Sequence, residues 1–467
     1  MPQISNEIAD PGWFESQRRR VFHLLRTKLG VDRPIAFTVL ARVWASFAGL
    51  ATLILIAHFL TPAEQGYYYT FGSLVALQIV FELGFSFVIL QLASHERAHL
   101  TISSAGEISG DKIAHARLAS ILQKAVRWYS SAAILLAIFL ILAGSHFFLT
   151  HSQTATPVHW RLPWYATAIA AAITFQLDPV LSFMEGCGYV ANIARVRFGQ
   201  VAIGNALAWI ALISHRGLFT PAMMILGNIC VSGTWLFRRR RLLLGLLRYR
   251  VGLHRIHWGS EVWSFQWRIA VSWLCGYFIF QLYNPVLFAY QGAVAAGQMG
   301  MSLSLASAIQ SISISWMNTK AAPFGSMIAR KEYAQLDHVF FRTLTQSFTV
   351  CAVGSALAWG IAIYLNWAHL RIANRILSPS SLGILLIGTM LNNIVFAQAL
   401  YLRAHKQEKF LLNSVLGAVL VGCSTYFLGR AYGAFGMVTG TLMVGLLMGL
   451  PLGTYTFFKY RRLWHAQ

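Results

Sequence analysis

Residues 59–95, FLTPAEQGYYYTFGSLVALQIVFELGFSFVILQLASH, decide the fold class of this chain. A turn signal at residues 61–66 closes one apolar run and opens the next. Three tyrosines follow, 67–69, at the place where a membrane–water interface holds amphipathic rings. A single carboxylate, Glu82, then lies inside the second apolar run. A turn, an aromatic anchor and a lone intramembrane charge indicate a membrane transport protein rather than a soluble one.

The composition of the whole chain agrees with a membrane protein. Of its 467 residues, 57% are hydrophobic and 11% are charged, with a mean hydropathy of +0.56. A soluble domain carries about 25% charged residues. Apolar runs of about 20 residues, the length that spans a bilayer, recur along the chain and predict a multi-pass protein. The first 34 residues are polar and basic, with no signal-peptide pattern, and we expect a cytoplasmic tail there.

The apolar runs predict twelve transmembrane helices, with boundaries good to a few residues. They are 35–60, 68–93, 128–149, 163–186, 193–213, 218–237, 262–283, 292–317, 341–365, 379–402, 410–428 and 434–458. All connections on one side of the membrane are short, so that side has no room for an additional domain.

The basic residues predict the orientation of these helices. Of the 37 Lys and Arg residues, 30 lie in the two tails and in alternate connections, five lie in the other connections and two lie inside helices. The connections that share the 30 with the tails are 94–127, 187–197, 238–261, 318–342 and 403–409. By the positive-inside rule both termini are cytoplasmic. The net charge of +22 is thereby explained without a nucleic-acid partner, and we expect none.

An internal repeat divides the chain into two parts. The sequence GTWLF at 233–237 is followed by arginines, and GTYTF at 453–457 is followed by lysine and arginine. We therefore predict an all-α fold of two parallel six-helix bundles, 35–237 and 262–467, joined by the basic cytoplasmic linker 238–261. A substrate site between the two bundles is typical of such repeats.

Four charges inside the predicted helices are the candidate functional residues: Arg42, Glu82, Asp178 and Arg268. Their distances along the helices place them roughly 9–17 Å from the cytoplasmic surface. A charge at that depth is costly and favours a position facing a watery cavity. Arg42 and Arg268 occupy similar places in the two repeats, where their guanidinium groups would hold a diphosphate. Glu82 and Asp178 would balance those charges or bind a coupling proton or sodium ion.

A structural interpretation of the same charges stays open. Both arginines are near enough to the cytoplasmic surface to extend to lipid headgroups. Arg42 and Glu82 lie on consecutive helices, where an ion pair would hold the two helices together. Uncharged polar residues of the second bundle are expected to bond helix to helix, and together they also suit a cavity that contacts sugar hydroxyls. They are Gln266, Gln281, Asn284, Gln310, Asn392, Asn393 and Gln398.

No motif for catalysis, metal binding or phosphate-loop binding is present in the sequence. The 15 histidines are scattered, and the five cysteines have no metal-ligand spacing. We therefore expect no catalytic residue, no metal and no other cofactor, and we predict that the protein is not an enzyme.

Residues 42–91, RVWASFAGLATLILIAHFLTPAEQGYYYTFGSLVALQIVFELGFSFVILQ, resemble the first two helices of polysaccharide (O-antigen type) flippases. These belong to the multidrug/oligosaccharidyl-lipid/polysaccharide (MOP) exporter superfamily. A Pro-x-x-x-Gly-Tyr turn is typical there, and Pro62, Gly66 and Tyr67 match it. So is a polar or charged position followed by glycine in helix two, matched by Glu82 and Gly84.

The resemblance implies a bacterial inner-membrane transporter that flips undecaprenyl-diphosphate-linked oligosaccharide from the cytoplasmic to the periplasmic leaflet. It implies two lobes that rock around a cationic cavity, driven by protons or sodium ions. It also implies membrane lipids, a polysaccharide polymerase and a chain-length regulator as partners. Arg42 and Arg268 match the places in helices one and seven where related lipid-diphosphate flippases carry arginines. Two features depart from the family: the long connection 94–127 and a second-half turn, AAGQMGM, without a Gly-Tyr pair.

Three alternatives compete with this interpretation. A multidrug exporter of the same superfamily would share the architecture, with a more acidic and aromatic cavity. A membrane-embedded polysaccharide polymerase or ligase would need a large external loop that carries catalytic residues, and the external connections are short. A scaffolding membrane protein would leave the four intramembrane charges unexplained.

Overall fold

A computed structural model of the chain describes residues 33–103, 107–151, 157–252, 256, 259, 263–405 and 409–465. Each of the twelve predicted spans lies within these residues almost completely. Nearly all of the predicted amino-terminal tail and part of the predicted linker lie outside them.

The first half of the chain forms eight helices, several of which share one membrane span. They are α1 (Arg33–Phe59), α2 (Pro62–Val75), α3 (Ile79–Glu82), α4 (Phe85–Arg97), α5 (Lys112–His151), α6 (Arg161–Gly186), α7 (Val190–Ile213) and α8 (Thr220–Arg238). A short 3-10 turn, Ala76–Gln78, joins α2 to α3, and a two-stranded antiparallel hairpin precedes α5. Its strands are β1 (Leu100–Ile102) and β2 (Ile108–Gly110), with Thr101 opposite Ser109.

The second half begins after the short helix α9 (Arg240–Arg248) and is again helical. Its helices are α10 (Trp263–Phe280), α11 (Tyr283–Gln291), α12 (Ala293–Asn318), α13 (Ala321–Ala329), α14 (Tyr333–Trp367), α15 (Pro379–Ala404), α16 (Leu411–Val444) and α17 (Leu450–His465). A π-helical turn, Gly445–Gly449, connects α16 to α17.

The described helices account for the twelve predicted spans. Eight of them are long and apolar enough to cross a membrane, and the bent unit Pro62–Glu82 with Phe85–Arg97 makes a ninth. The segment Leu411–His465 contains two spans, because the chain folds back at Gly433 (φ 61°) and brings Gly440 against Leu428. Helices α1 and α12 complete the set. The predicted fold class, an all-α multi-pass membrane protein of two six-helix bundles, is confirmed.

The connections between spans lie alternately on two faces of the molecule. The basic face, as we call it, carries residues 98–103, 107–111, 187–189, 239–252, 319–332, 405 and 409–410. The opposite face carries residues 60–61, 157–160, 214–219, 292, 368–378 and 433. The basic face is the one that the charge pattern predicts to be cytoplasmic.

The stretch that decides the fold differs in detail from its prediction. Helix α2 begins at Pro62, so most of the predicted turn is already helical. Thr61 caps this helix, because its Oγ1 accepts the Glu64 N–H (3.2 Å) while Glu64 Oε2 accepts the Thr61 N–H (2.8 Å). The interface-anchor prediction is wrong for Tyr67. Its ring is buried and contacts Phe288 of the second half, with 4.9 Å between ring centroids.

Two predicted connections are also largely structured. Residues 284–291, expected to be a loop, belong to α11, and the chain reverses at Gly292, whose φ of 87° suits glycine. The expected cytoplasmic loop 94–127 contains the end of α4, the β-hairpin and the first part of α5, a helix of 40 residues. The described part of the connection thus has little irregular chain.

The extended start of α5 holds the segment that leads to the second half. Gln123 Nε2 donates to the carbonyls of Leu246 (3.0 Å) and Tyr249 (2.8 Å). Lys124 Nζ donates to the Ile256 carbonyl (2.9 Å). The beginning of the predicted linker is therefore fixed to the first half by hydrogen bonds.

The two halves pack against each other mainly through α2 and α12, with additional contacts of α2 with α11 and of α3 with α10. A Cβ added at Gly66 would overlap the Ala293 carbonyl, and one added at Gly297 would lie 2.9 Å from the Gly66 nitrogen. Gln65 Nε2 donates to the carbonyls of Gly297 (2.8 Å) and Arg375 (2.9 Å). Because these residues begin their helices, the halves meet near the opposite face.

Candidate functional site

The second membrane span is broken beside its only carboxylate inside the bilayer. Glu82 ends α3, and the next two residues, Leu83 (φ 49°, ψ 26°) and Gly84 (φ 73°, ψ 14°), are both left-handed. The helical axes on the two sides of this break differ by 46°. A left-handed leucine costs on the order of 1–2 kcal/mol, and strain of this kind is concentrated at functional sites. The predicted glycine after the charged position therefore has a structural role, because it permits the break.

Glu82 has polar neighbours within the first half. It is half-buried, and its carboxylate interacts with the Ser86 hydroxyl one turn further along. The Ser86 hydroxyl is 3.4 Å from the hydroxyl of Tyr129, a buried residue of α5. The α3 segment that carries Glu82 also packs on α10 of the second half. Glu82 thus lies where the break, the first-half core and the boundary between halves come together.

Asp178 of α6 is exposed, although the helix face on which it lies is otherwise buried. By helical geometry it shares a face with Ala171, Phe175 and Ser182, all of which are buried. Asp178 itself is nevertheless exposed. An exposed carboxylate on an otherwise buried helix face requires a cavity that opens next to it.

The charges of Glu82 and Asp178 interact with each other, although the two residues are far apart in the sequence. Asp178 also interacts with the charge of Arg197, which itself pairs with Glu185 (2.6 Å). Among the described side chains, no Lys, Arg or His lies within salt-bridge distance of Glu82 or Asp178. Two like charges with hydroxyl neighbours, one of them in contact with solvent, form an arrangement that a proton or a monovalent cation would stabilise.

The two candidate arginines are placed by their helices only. Arg42 lies on α1, which packs on α7 and α12, and Arg268 lies on α10, which packs on α3 and α16. Their side chains lie outside the described part of the structure. The diphosphate clamp and the Arg42–Glu82 ion pair therefore stay predictions.

Several uncharged polar residues of the second half make the helix-to-helix bonds expected of them. Ser347 Oγ donates to Asn393 Oδ1 (3.1 Å), and Gln398 Nε2 donates to Thr454 Oγ1 (3.0 Å). Asn284 Nδ2 donates to Ser73 Oγ (3.0 Å) across the boundary between halves. The side-chain amide of Gln310 is an exception, because both of its polar atoms are buried without a partner among the described residues.

One charged network on the basic face was not found by sequence reasoning. Arg461 of α17 donates twice to Asp337 Oδ2, from Nε (2.9 Å) and Nη2 (2.6 Å). Tyr401 of α15 donates to Asp337 Oδ1 (2.9 Å) and lies 3.1 Å from His465 Nε2. This network joins three helices within the second half. Asp337, Tyr401 and the pair Arg461 and His465 are distant from one another in the sequence, so no local pattern predicts that they meet.

Solved structures with the same architecture are membrane transporters of two kinds. The chain matches the lipid II flippase MurJ in an inward closed conformation with a TM-score of 0.57 and 12% identity, over 91% of this chain and 87% of that one. It matches an inward-facing multidrug resistance MATE family transporter of the MOP superfamily with a TM-score of 0.53 and 13% identity, over 89% and 99% of the two chains. A eukaryotic MATE transporter, AtDTX14, matches with a TM-score of 0.56 and 12% identity, over 95% and 99%. The chain therefore has the fold of MOP-type transporters.

No protein-family model and no curated protein sequence matches the chain. At 12–13% identity the likeness to solved structures concerns the fold alone.

Proposed function

We propose that this protein flips undecaprenyl-diphosphate-linked oligosaccharide across the bacterial inner membrane for surface polysaccharide export, by ion-coupled alternating access. The observation that carries the transport part of the proposal is the arrangement of the two halves. They pack together near the opposite face, whereas Asp178 is exposed on an otherwise buried face of α6 in the first half. A cavity closed on one side and hydrated within is what a carrier needs before it changes conformation.

The lipid-linked substrate follows from the two intramembrane arginines and the resemblance of residues 42–91. A sugar–diphosphate headgroup cannot cross about 30 Å of hydrocarbon without a polar path. Arg42 and Arg268 would bind the diphosphate by charge-assisted hydrogen bonds, one from each half. The polyprenyl tail would stay in the lipid while the headgroup crosses in the hydrated cavity.

Ion coupling is proposed for Glu82 and Asp178. Their mutual interaction and the absence of a cationic partner among the described side chains favour uptake of a proton or a sodium ion by the pair. Glu82 ends the part of the span, Pro62–Glu82, that contacts α12, and the break at Leu83–Gly84 separates this part from α4. Cation uptake would thereby act on the contact between the halves.

The cellular setting is proposed from the charge pattern and the resemblance. The basic face would be cytoplasmic, with both termini on that side, and the bundles 35–237 and 262–467 would be the two moving lobes. A polysaccharide polymerase and a chain-length regulator would act on the exported product. Membrane lipids would surround both lobes.

Export of another solute, as in MATE transporters, is the second candidate function. The observation that favours it is that MATE transporters match the chain with TM-scores of 0.53–0.56, close to the 0.57 of MurJ. A polymerase or ligase activity has no comparable support.

Transport by the purified full chain in liposomes separates the two candidates. We expect a short-chain polyprenyl-diphosphate oligosaccharide in the inner leaflet to become accessible to an external glycosidase. Arg42→Ala and Arg268→Ala should each slow this step, with Arg216→Ala on the opposite face as the control. Uptake of a cationic dye without movement of the lipid-linked sugar would instead support the MATE-like function. Release of polymerised glycan would contradict both.

A further inference from the structure

A groove of about 1000 Å³ lies between α7 and α8 where they reach the basic face. Arginines surround its mouth: Arg195 from α7 and the four consecutive residues 238–241 from the junction of α8 and α9. The groove is lined without any acidic side chain among the described residues. Five guanidinium groups around one opening form a strong site for an anion.

The arginines are held in place by the local structure. Helix α8 ends at Arg238 and α9 begins at Arg240, so the chain turns at Arg239. The Arg239 guanidinium lies 4.8 Å from the Tyr189 ring centroid and 5.9 Å from that of Trp235. Buried Leu242 and Leu246 anchor α9, and the Leu246 carbonyl also accepts a hydrogen bond from Gln123 of α5. The backbone that carries residues 238–241 is therefore fixed and is not a free loop.

The walls of the groove are apolar and face the lipid. On α8, residues 226, 230, 234 and 237 follow one another at helical spacing and are all exposed. On α7, Ile203 is also exposed. A stripe of exposed Leu, Cys, Thr and Phe on a membrane-spanning helix faces hydrocarbon, and its small members, Cys230 and Thr234, leave the space that forms the groove.

We propose that this groove binds an anionic phospholipid of the leaflet that faces the basic side. One acyl chain would lie along the wall formed by Ile203, Cys230 and Thr234. The phosphate would lie among Arg195 and residues 238–241 at the depth of the headgroups. Basic pockets between transmembrane helices bind anionic headgroups in this manner. The site lies on the lipid-facing surface of the first half and differs from the substrate site proposed above.

The binding site has a consequence for the linker. Residues 238–241 begin the segment that leads to the second half, and a bound lipid would place its negative phosphate among four adjacent like charges there and lower their mutual repulsion. The bound lipid would add to the contacts that already hold the α8–α9 junction. Loss of the lipid should therefore loosen the junction.

The test measures lipid retained by the purified full chain in native mass spectra, with phosphatidylglycerol and phosphatidylcholine supplied in equal amounts. We expect wild-type protein to retain phosphatidylglycerol preferentially. In the double variant Arg238→Gln/Arg241→Gln, the affinity of the protein for phosphatidylglycerol should fall on the order of tenfold. Each arginine near an anionic headgroup contributes to the free energy of lipid binding. The variant Thr234→Trp should also lower retention, because it fills the groove without a change of charge.

The matched control is Arg248→Gln/Arg250→Gln, which removes the same charge from exposed positions outside the groove. Equal losses in the two double variants would mean general attraction of anionic lipid and would overturn the proposal. Equal retention of both lipids by wild-type protein would overturn it too. So would displacement of phosphatidylglycerol by an equimolar short-chain polyprenyl diphosphate, because the groove would then belong to the substrate lipid.

Discussion

Asp178 lies next to space that is formed between helices. Its neighbours on the same helix face are buried, so its exposure comes from space between helices. Glu82 lies near enough for the two charges to interact, yet it belongs to a different span. The Ser86 and Tyr129 hydroxyls complete the polar surroundings. At this scale the proposed coupling site is a pair of carboxylates whose joint charge would change on uptake of a cation.

We predict that Glu82→Gln and Asp178→Asn each lower transport and flatten its dependence on pH or on sodium. Each amide keeps the size of the side chain but removes the charge that would take up the cation. The measurement is the initial rate of lipid-linked sugar translocation in liposomes across a pH series at fixed sodium and a sodium series at fixed pH. We expect the rate at the wild-type optimum to fall on the order of tenfold. A tenfold change corresponds to a coupling free energy of about 1.4 kcal/mol, in the lower part of the usual range.

Glu332→Gln is the control for these two variants. Glu332 lies on the basic face of the second half, 4.0 Å from the guanidinium of Arg330. A surface pair of this kind contributes about 0–1 kcal/mol, so this variant should keep the wild-type profile. Unchanged profiles in both carboxylate variants would exclude the pair from coupling.

The four intramembrane charges could be identified from the sequence. A charge inside an apolar span costs free energy, so it is rare there and easy to recognise. It did not predict that Glu82 and Asp178 interact, because that depends on the packing of α3, α5 and α6. Ser86 and Tyr129 carry no signal of their own, since hydroxyl side chains are common in transmembrane helices. For Arg42 and Arg268, the sequence predicts their depth in the membrane, and the structure shows which helices pack against the helices that carry them.

At the scale of elements, the contact between α2 and α12 is a close backbone approach at glycines. Gly66→Ala should destabilise the protein by about 1–3 kcal/mol, because the new methyl group would overlap the Ala293 carbonyl. Relief of this overlap requires a shift of the backbone, which costs more free energy than a shift of a flexible side chain. Gly72→Ala on the same helix has nothing within 4 Å of the new Cβ, and we expect it to be neutral or stabilising by up to about 1 kcal/mol.

The measurement for this pair is thermal unfolding of the two variants in the same detergent. Helix propensity favours alanine at both positions, so only the steric contact at Gly66 can make the two substitutions change stability in opposite directions. If Gly66→Ala were as stable as Gly72→Ala, α2 and α12 would not approach as closely as described.

The network around Asp337 gives a second prediction at this scale. Arg461→Ala should lower the free energy of unfolding by about 1.5–3 kcal/mol, because a mostly buried carboxylate would lose both hydrogen bonds from its guanidinium partner. Arg462→Ala, next to it but exposed, should change it by less than about 0.5 kcal/mol. Chemical or thermal unfolding compares the two, and equal effects would mean that the network does not stabilise the second half.

The transmembrane helices were largely predictable from the sequence, whereas the breaks within them were not. Long apolar runs placed the twelve spans, because the bilayer fixes their length and polarity. The left-handed break at Leu83–Gly84 occurs inside an unbroken apolar run, where only the glycine hints at it. Helix α11 was expected to be a loop because it falls between the predicted spans 262–283 and 292–317. Pro285 is tolerated near a helix start, where its missing N–H costs nothing.

At the scale of the whole molecule, the two halves are joined near one face and carry most of their charge on the other. Bonds between halves involve Gln65 near the start of α2, and Ser73, Asn284 and Gln281 deeper in the spans. On the basic side α4 packs on α5 and α6, and α13 packs on α14 and α15. Each half is therefore internally tied at the basic face, which suits two rigid lobes that separate at one face and close at the other.

Rocking of the lobes predicts that a cross-link between α2 and the second half stops transport. In a variant whose five native cysteines are replaced, Ser73→Cys and Asn284→Cys should be joined by a short bifunctional thiosulfonate, because the native side chains are 3.0 Å apart. Translocation should then stop and return after reduction. The matched pair Gln398→Cys/Thr454→Cys, also 3.0 Å apart but within the second half, should cross-link and leave translocation unchanged. Continued translocation with the halves joined would show that the substrate crosses without separation of α2 from the second half, and alternating access would have to be abandoned.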